Sequence, residues 1–243
     1  MEQKWVAFIT GGSEGIGYAC SEALLKQGHH VCMVSRNAGK LENAREHLSA
    51  GSLGSLVTFS ADVSKKEEIQ HAVTEAYNHF GRIDVLINSA GCSLPDAISF
   101  EAISQEEYEQ IMHINTDGTF YTTQAVLEIM RKQNRGYILN ILSLAAFRAK
   151  PNIAPYSASK FAVRALTETL IEECRGSGIR VSSISPGPVA TPIWSYKTSP
   201  PTAEKMKTML RPEEVADVAL FLLERPPGVF INDVQITPWF YTY

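Results

Sequence analysis

Short apolar runs alternate with longer amphipathic stretches along nearly the whole chain. The apolar runs at 6–10, 30–34, 56–60, 85–88, 137–142, 180–185 and 234–236 have the length of strands. Between them, apolar positions recur with helical spacing at 16–27, 40–50, 65–80, 105–133, 156–175 and 213–223. Strands that alternate with helices predict an α/β fold, with a parallel sheet covered on both faces. Gly176-Ser177-Gly178 is a clear helix stop before the sixth run. No internal repeat or low-complexity tract interrupts the pattern. The one loose stretch, 192–211, is rich in Pro, Ser, Thr and Lys, and its place after a strand end predicts a substrate lid.

Composition narrows the function classes. The 243 residues are 44% hydrophobic and 20% charged, ordinary for one substantial core, here read as one catalytic unit over 1–243. A net charge of −4 argues against a nucleic-acid or acidic-membrane partner. Cys20, Cys32, Cys92 and Cys174 lie far apart, and the six histidines form no metal-binding pattern, so no metal is expected. The chain enters its first strand almost at once, without a secretory leader, and no window is apolar enough to span a membrane. A cytoplasmic protein is expected.

The chemistry gathers at the carboxyl ends of the strands. Thr10-Gly11-Gly12-Ser13-Glu14-Gly15-Ile16-Gly17 joins the first strand to the first helix. Glycines there allow a tight turn and a close approach to a pyrophosphate, whose charge meets a helix N-terminus. This predicts dinucleotide binding. After the second strand stand Ser35, Arg36 and Asn37, with no acid until Glu42; a guanidinium there suits the 2′-phosphate of NADP better than the bare ribose of NAD. Asp62 and Val63 follow the third strand, where they could meet an adenine edge. Asn88, Ser89, Ala90 and Gly91 follow the fourth and permit close approach of a cofactor. Tyr156 and Lys160, four apart, share a helix face. A phenol has a reference pKa of about 10, and a neighbouring ammonium favours its ionised form, which predicts a lowered Tyr156 pKa.

With Asn115, Ser143 and Pro186-Gly187 in their order and spacing, these motifs make the chain resemble the short-chain dehydrogenase/reductase family along nearly its full length. The resemblance implies a Rossmann fold, a doubly wound parallel sheet of about seven strands with three helices per face. It implies that Tyr156 exchanges a proton with the substrate oxygen and that Lys160 holds the nicotinamide ribose and lowers the Tyr156 pKa. Ser143 orients the substrate carbonyl, and Asn115 anchors a water leading to Lys160. Pro186, Gly187, Val189 and Thr191 lie against the nicotinamide. Ser93, Leu94, Ala145 and Trp194 line the substrate side, where Arg148, Lys197 or Lys205 could approach a carboxylate. Ser89 and Glu14 depart from the family pattern: many NADP-using members carry a basic residue where Glu14 stands. The end, 232–238, lacks the Gly-rich closing strand of many relatives.

The function this set supports best is an NADP(H)-dependent carbonyl reductase or alcohol dehydrogenase. A nicotinamide-dependent epimerase or dehydratase, and a nucleotide-binding regulator without turnover, are the competing readings. The two long helices carry apolar positions, among them Ile111, Phe120, Phe161, Val163 and Leu166, that permit a homodimer or homotetramer. The aromatic end 239–243 is expected to dock on a neighbouring subunit or on its own core.

Overall fold

The computed structural model describes residues 4–240. Seven strands, β1 (Val6–Thr10), β2 (His30–Ser35), β3 (Leu56–Ser60), β4 (Val85–Asn88), β5 (Gly136–Ile141), β6 (Ile179–Pro186) and β7 (Asp233–Ile236), form one sheet in the order β3-β2-β1-β4-β5-β6-β7. Every neighbouring pair is parallel. The central strands are largely apolar because both faces are covered: Phe8, Ile9, Met33, Leu86, Ile87 and Ile138 are fully buried. Burying each such side chain contributes about 1.5–3 kcal/mol, and truncating Phe8 to Ala would cost about 3–5 kcal/mol.

Three helices cover each face. One core lies beneath α1 (Gly15–Lys26), α2 (Ala38–Ser49) and α8 (Pro212–Leu223), through Leu24, Leu25, Leu41, Leu48, Val215 and Leu222. The other lies beneath α3 (Lys66–Phe80), α5 (Gly118–Gln133) and α6 (Ala154–Cys174), through Ile69, Val73, Val126, Met130 and Leu170. Their ends follow local chemistry. Gly81 takes the left-handed conformation that stops α3, and Pro155 and Pro212 sit in the first turns of α6 and α8, where a missing N–H costs nothing.

The expected helix over 105–133 is two helices, α4 (Gln105–Met112) and α5, joined by a π-helical turn at His113–Asp117. Its extra residue shifts the register of side chains between the two, and π-turns of this kind gather at functional sites. Asn115 sits inside the turn and is 1% exposed. The stretch 192–211 is also more ordered than its composition suggests. It holds a 3₁₀ turn, Pro192–Tyr196, and a short helix, α7 (Ala203–Lys207).

Strand order reverses between β1 and β4, each of which pairs outward to an opposite half of the sheet. A crevice opens outside the carboxyl ends of such a pair. Register places the turns there side by side: Thr10 pairs with Asn88, Asn88 with Asn140, and Ile141 with Ile184. No helix among the described residues is long and apolar enough to cross a membrane.

Candidate active site

The floor of the crevice is the glycine turn after β1. Gly11 and Gly15 have φ of +66° and +61°, a region that side chains rarely tolerate. A Cβ on Gly11 would stand 2.9 Å from the Ala90 backbone, so the turns after β1 and β4 touch without room for a side chain. The Thr10 hydroxyl locks them together, accepting from the N–H groups of Ser89 at 3.1 Å and Ala90 at 3.2 Å. Gly17 packs its α-carbon against the Gly11 carbonyl. Glu14, at the N-cap of α1, makes no side-chain cap, and the first turn carries no acid. The leading N–H groups and positive dipole end of α1 therefore suit an anion, and the glycine cradle fits the pyrophosphate of a dinucleotide. Ile16 packs on the core beneath, and Gly15 faces Thr191 across the crevice at 3.3 Å from an added Cβ.

The adenosine side is more crowded with internal partners than the sequence suggests. Ser13 donates to Ser35 at 2.9 Å. Asn37 is the N-cap of α2, its side-chain oxygen accepting from the Lys40 N–H at 2.9 Å beside Arg36. Burial raises the Asp62 pKa, but bonds from the Ser64 hydroxyl and N–H, with Arg36 and Lys65 nearby, outweigh it and hold the carboxyl below its ordinary value. Val63 is buried against Gly118. Arg36 is exposed. Lys40 escaped sequence reasoning: its ammonium bonds Glu14 at 2.6 Å and the Tyr196 hydroxyl at 2.6 Å. Its only signal in the sequence was its place one helical turn past Arg36.

On the other half of the crevice, α6 brings Tyr156 and Lys160 beside β5. Ser143, two residues after β5, hydrogen-bonds Tyr156 and accepts from the Ala145 N–H at 3.1 Å. Lys160 lies 8% exposed, its Nζ donating to the Ile141 carbonyl at 3.0 Å and standing 5.8 Å from the centre of the Tyr156 ring. An added Cβ on Gly91 would meet Asn115 Oδ1 at 3.3 Å and Lys160 Nζ at 3.9 Å, so both groups converge on that glycine.

Asn115 bonds through its side chain. Its amide donates to the Cys92 carbonyl at 3.0 Å and to Ser159 Oγ at 2.9 Å, while its Oδ1 accepts from the Cys92 N–H at 2.8 Å. Ser159 in turn donates to the Tyr156 carbonyl at 2.8 Å. The π-turn, the segment after β4 and the first turns of α6 are thereby joined. Ser159 and Cys92 were not expected from sequence; a lone Ser or Cys carries no spacing signal.

Electrostatics corrects one expectation. Burial raises the Tyr156 pKa above the ordinary phenol value, and the Ser143 hydrogen bond only partly opposes it. The same burial lowers Lys160 to about 8. A 5.8 Å separation from ammonium to ring centre does not overcome desolvation of the phenolate. Burial likewise pushes Cys92 up to about 11, so its thiol stays neutral among Arg36, Lys160 and Lys197.

The remaining expected residues follow the carboxyl ends of β4, β5 and β6. Pro186 ends β6, and the Gly187 N–H donates to the Ile236 carbonyl at 2.8 Å. Val189 pairs with Leu210, and its carbonyl accepts from the Trp194 indole at 2.7 Å and the Thr191 N–H at 2.9 Å. Leu94 and Ala145 are buried, and Ser93 accepts from Lys197 at 3.1 Å. Asn88 braces the turn after β4 from below, donating to Thr123 at 3.0 Å and Asn140 at 2.9 Å. Arg148 and Lys205 are exposed, whereas Lys197 is half-buried. Of the aromatic end, Trp239 and Phe240 are 91% and 90% exposed and so do not dock on this chain's core; Tyr241, Thr242 and Tyr243 lie outside the described residues.

A parallel sheet with a glycine cradle at its switch point, and a Ser–Tyr–Lys group beside it, is matched by known proteins. Residues 5–201 fit the short chain dehydrogenase family. An uncharacterized oxidoreductase of Staphylococcus saprophyticus is 36% identical over 97% of this chain and 98% of its own. The alcohol dehydrogenase of Thermococcus sibiricus, solved with 5-hydroxy-NADP, is similar at 26% identity and a TM-score of 0.85, covering 99% of each chain. Serine dehydrogenase from Escherichia coli is similar at 26% identity and a TM-score of 0.83, covering 98% of this chain and all of that one. The chain belongs to the short-chain dehydrogenase/reductase family.

Proposed function

We propose that the protein is an NADP(H)-dependent oxidoreductase that interconverts a carbonyl and a secondary alcohol, with Tyr156 as general acid and base. The observation that carries this reading is the Ser143–Tyr156 hydrogen bond, with the Lys160 ammonium one helical turn away and 5.8 Å from the Tyr156 ring centre. The nicotinamide cofactor, when bound, supplies or accepts the hydride. The rest falls to the chain. Ser143 donates to the substrate oxygen as negative charge develops on it, an electrostatic contribution that grows in the transition state. Tyr156, kept as a phenol by burial, delivers the proton that turns the alkoxide into an alcohol. In the oxidising direction the same oxygen takes the proton back from the alcohol. Lys160, charged below about pH 8, would hold the nicotinamide ribose and stabilise Tyr156 once ionised.

The glycine cradle with Gly11, Ser13, Glu14, Gly15, Ile16 and Gly17 would seat the pyrophosphate, and Asp62, Val63, Asn88, Ala90 and Gly91 the adenosine side. Arg36 with Ser35 would meet the 2′-phosphate; the NADP ligand in the archaeal structure's description supports that preference. The names alcohol dehydrogenase and serine dehydrogenase support a hydroxyl-bearing small molecule as substrate. Residues 192–211 would act as the lid, and the exposed Phe120, Phe161 and Leu166 support pairing into a homodimer or homotetramer. The test is a carbonyl and alcohol panel followed by NADPH and NADH absorbance, with Tyr156→Phe as control. Loss of the phenol should lower kcat/KM by about 10² or more. Equal rates in variant and parent would remove Tyr156 from the chemistry.

A further inference from the structure

Lys197 is a half-buried ammonium whose fixed partners are neutral. It follows the 3₁₀ turn Pro192–Tyr196 with extended backbone, and its Nζ donates to Ser93 Oγ at 3.1 Å and to the Leu94 carbonyl. The next residue completes the seam: the Thr198 N–H donates to the Pro95 carbonyl at 3.3 Å, and its hydroxyl to Asp96 Oδ2 at 2.6 Å. Asp96 acts on Lys197 only from a distance, and no ion pair within 4.0 Å joins Lys197 to a carboxylate among the described residues.

An ammonium removed from water without a counter-charge is costly, and burial lowers its pKa accordingly. A neutral residue would hold the Leu94 carbonyl as well. The cation lies within reach of the Cys92 thiol, next to Ser93; that thiol feels both Lys197 and Lys160 and carries no charge to cancel them. Lys197 thus adds positive potential at the Cys92–Ser93 segment, which Asn115 ties to the π-turn beside Lys160. Of the three cations able to approach a substrate carboxylate, Arg148 and Lys205 are exposed; only Lys197 is drawn inward.

We propose that Lys197 and Ser93 form a carboxylate-binding subsite and that the substrate class is a hydroxy acid and its keto acid. The carboxylate would take the ammonium's free hydrogen-bonding capacity and the Ser93 hydroxyl, leaving the carbinol carbon towards Ser143 and Tyr156. Neighbouring Tyr196 reaches Glu14 at 3.2 Å and Lys40 at 2.6 Å, so consecutive lid residues touch the cofactor turn and the substrate wall. A carboxylate held at Lys197 would therefore lie one residue from the contact with the cofactor turn. The substrate class rests on the oxidoreductase reading, but the anion subsite itself does not.

The experiment has two arms. In the first, propionate, an inert carboxylate, is titrated into NADP⁺-saturated protein by calorimetry. Lys197→Met and Lys197→Gln should weaken binding at least tenfold, the scale of one lost charge-assisted hydrogen bond, and Lys197→Arg should restore most of it. Equal affinity in parent, Met and Gln proteins overturns the subsite. In the second arm, hydroxy acids are compared with their methyl esters as substrates. The parent's preference for the acid in kcat/KM should fall at least tenfold in Lys197→Met, and an unchanged preference overturns the substrate class. If propionate binding depends on Lys197 while neither acid nor ester is turned over, the subsite stands and the oxidoreductase reading fails.

Discussion

The Lys160 ammonium donates to the Ile141 carbonyl across 3.0 Å, a charge held against the last residue of a fully covered strand. Burial lowers its pKa from 10.5 to about 8. Between those values the unfolded chain binds more protons than the folded one, so this group makes stability rise with pH from about 8 to 10.5. Well below pH 8 the full cost applies, at most about 3.4 kcal/mol. Lys160→Met removes that cost but orphans the Ile141 carbonyl at every pH, a loss of about 1–3 kcal/mol. Relative to the parent, the variant should therefore be most stable at pH 7 and lose about 2–3 kcal/mol of that relative stability by pH 10.5. Urea unfolding at the two pH values measures the difference. A gap that does not change with pH would mean the ammonium is not desolvated.

Glu14 and Lys40 set the second prediction. Their 2.6 Å pair is substantially exposed, so it contributes little to stability, about 0–1 kcal/mol. Its position matters more: it places a carboxylate near the end of β2, where a 2′-phosphate would compete for Lys40. Arg36→Asp should weaken NADPH binding far more than NADH binding, and Glu14→Gln should shift the preference several-fold towards NADPH. Fluorescence titrations with both cofactors decide it. Equal losses for the two in Arg36→Asp would dismiss the 2′-phosphate role.

The fold and the placing of the candidate site were legible because they rest on repeated, local signals. All seven strands follow from apolar runs, and the glycine turn, Ser143, Tyr156 and Lys160 lie where strand ends and helical spacing put them. What was hidden depends on contacts far apart in sequence. Asn115 was expected at the site from the family resemblance, but the π-turn around it was not, because such a turn inserts a residue without altering the surrounding periodicity. Its partners Cys92 and Ser159 are 23 and 44 residues away. The capping of α2 by Asn37 Oδ1 was not read from the sequence either; its amide group keeps the donors that a phosphate would need. The direction of the Tyr156 shift also turned on burial, which the Tyr-x-x-x-Lys spacing does not report.

Gly17 gives a prediction from geometry alone. An added Cβ would lie 2.4 Å from the Gly11 carbonyl oxygen and 3.1 Å from that of Thr10, and neither backbone atom can move without opening the turn. Gly17→Ala should cost more than the usual Gly-to-Ala helix gain of about 1 kcal/mol returns. It should lower the unfolding midpoint and weaken cofactor binding together. Gly228→Ala, with nothing within 4 Å, is the control for the added methyl. Unchanged cofactor affinity in Gly17→Ala would show that the turn is not the cofactor cradle.

Asn115 tests whether the π-turn positions the site. Its side chain makes two bonds to the Cys92 backbone and one to Ser159, and all are shielded from water. Asn115→Leu keeps the bulk but leaves the Cys92 N–H and carbonyl unpaired, which should cost about 2–4 kcal/mol. Asn115→Asp keeps the bond from the Cys92 N–H and loses the two donated bonds. It also sets a carboxylate beside Lys160, since both groups face Gly91. That charge should raise the Lys160 pKa above about 8 and extend the protonated form to higher pH. The pH profile of carbonyl reduction should then move upward in Asn115→Asp, while Asn115→Leu loses stability and rate with no such shift. A profile unmoved by Asp would separate Asn115 from the proton-handling group and leave it a purely structural tie.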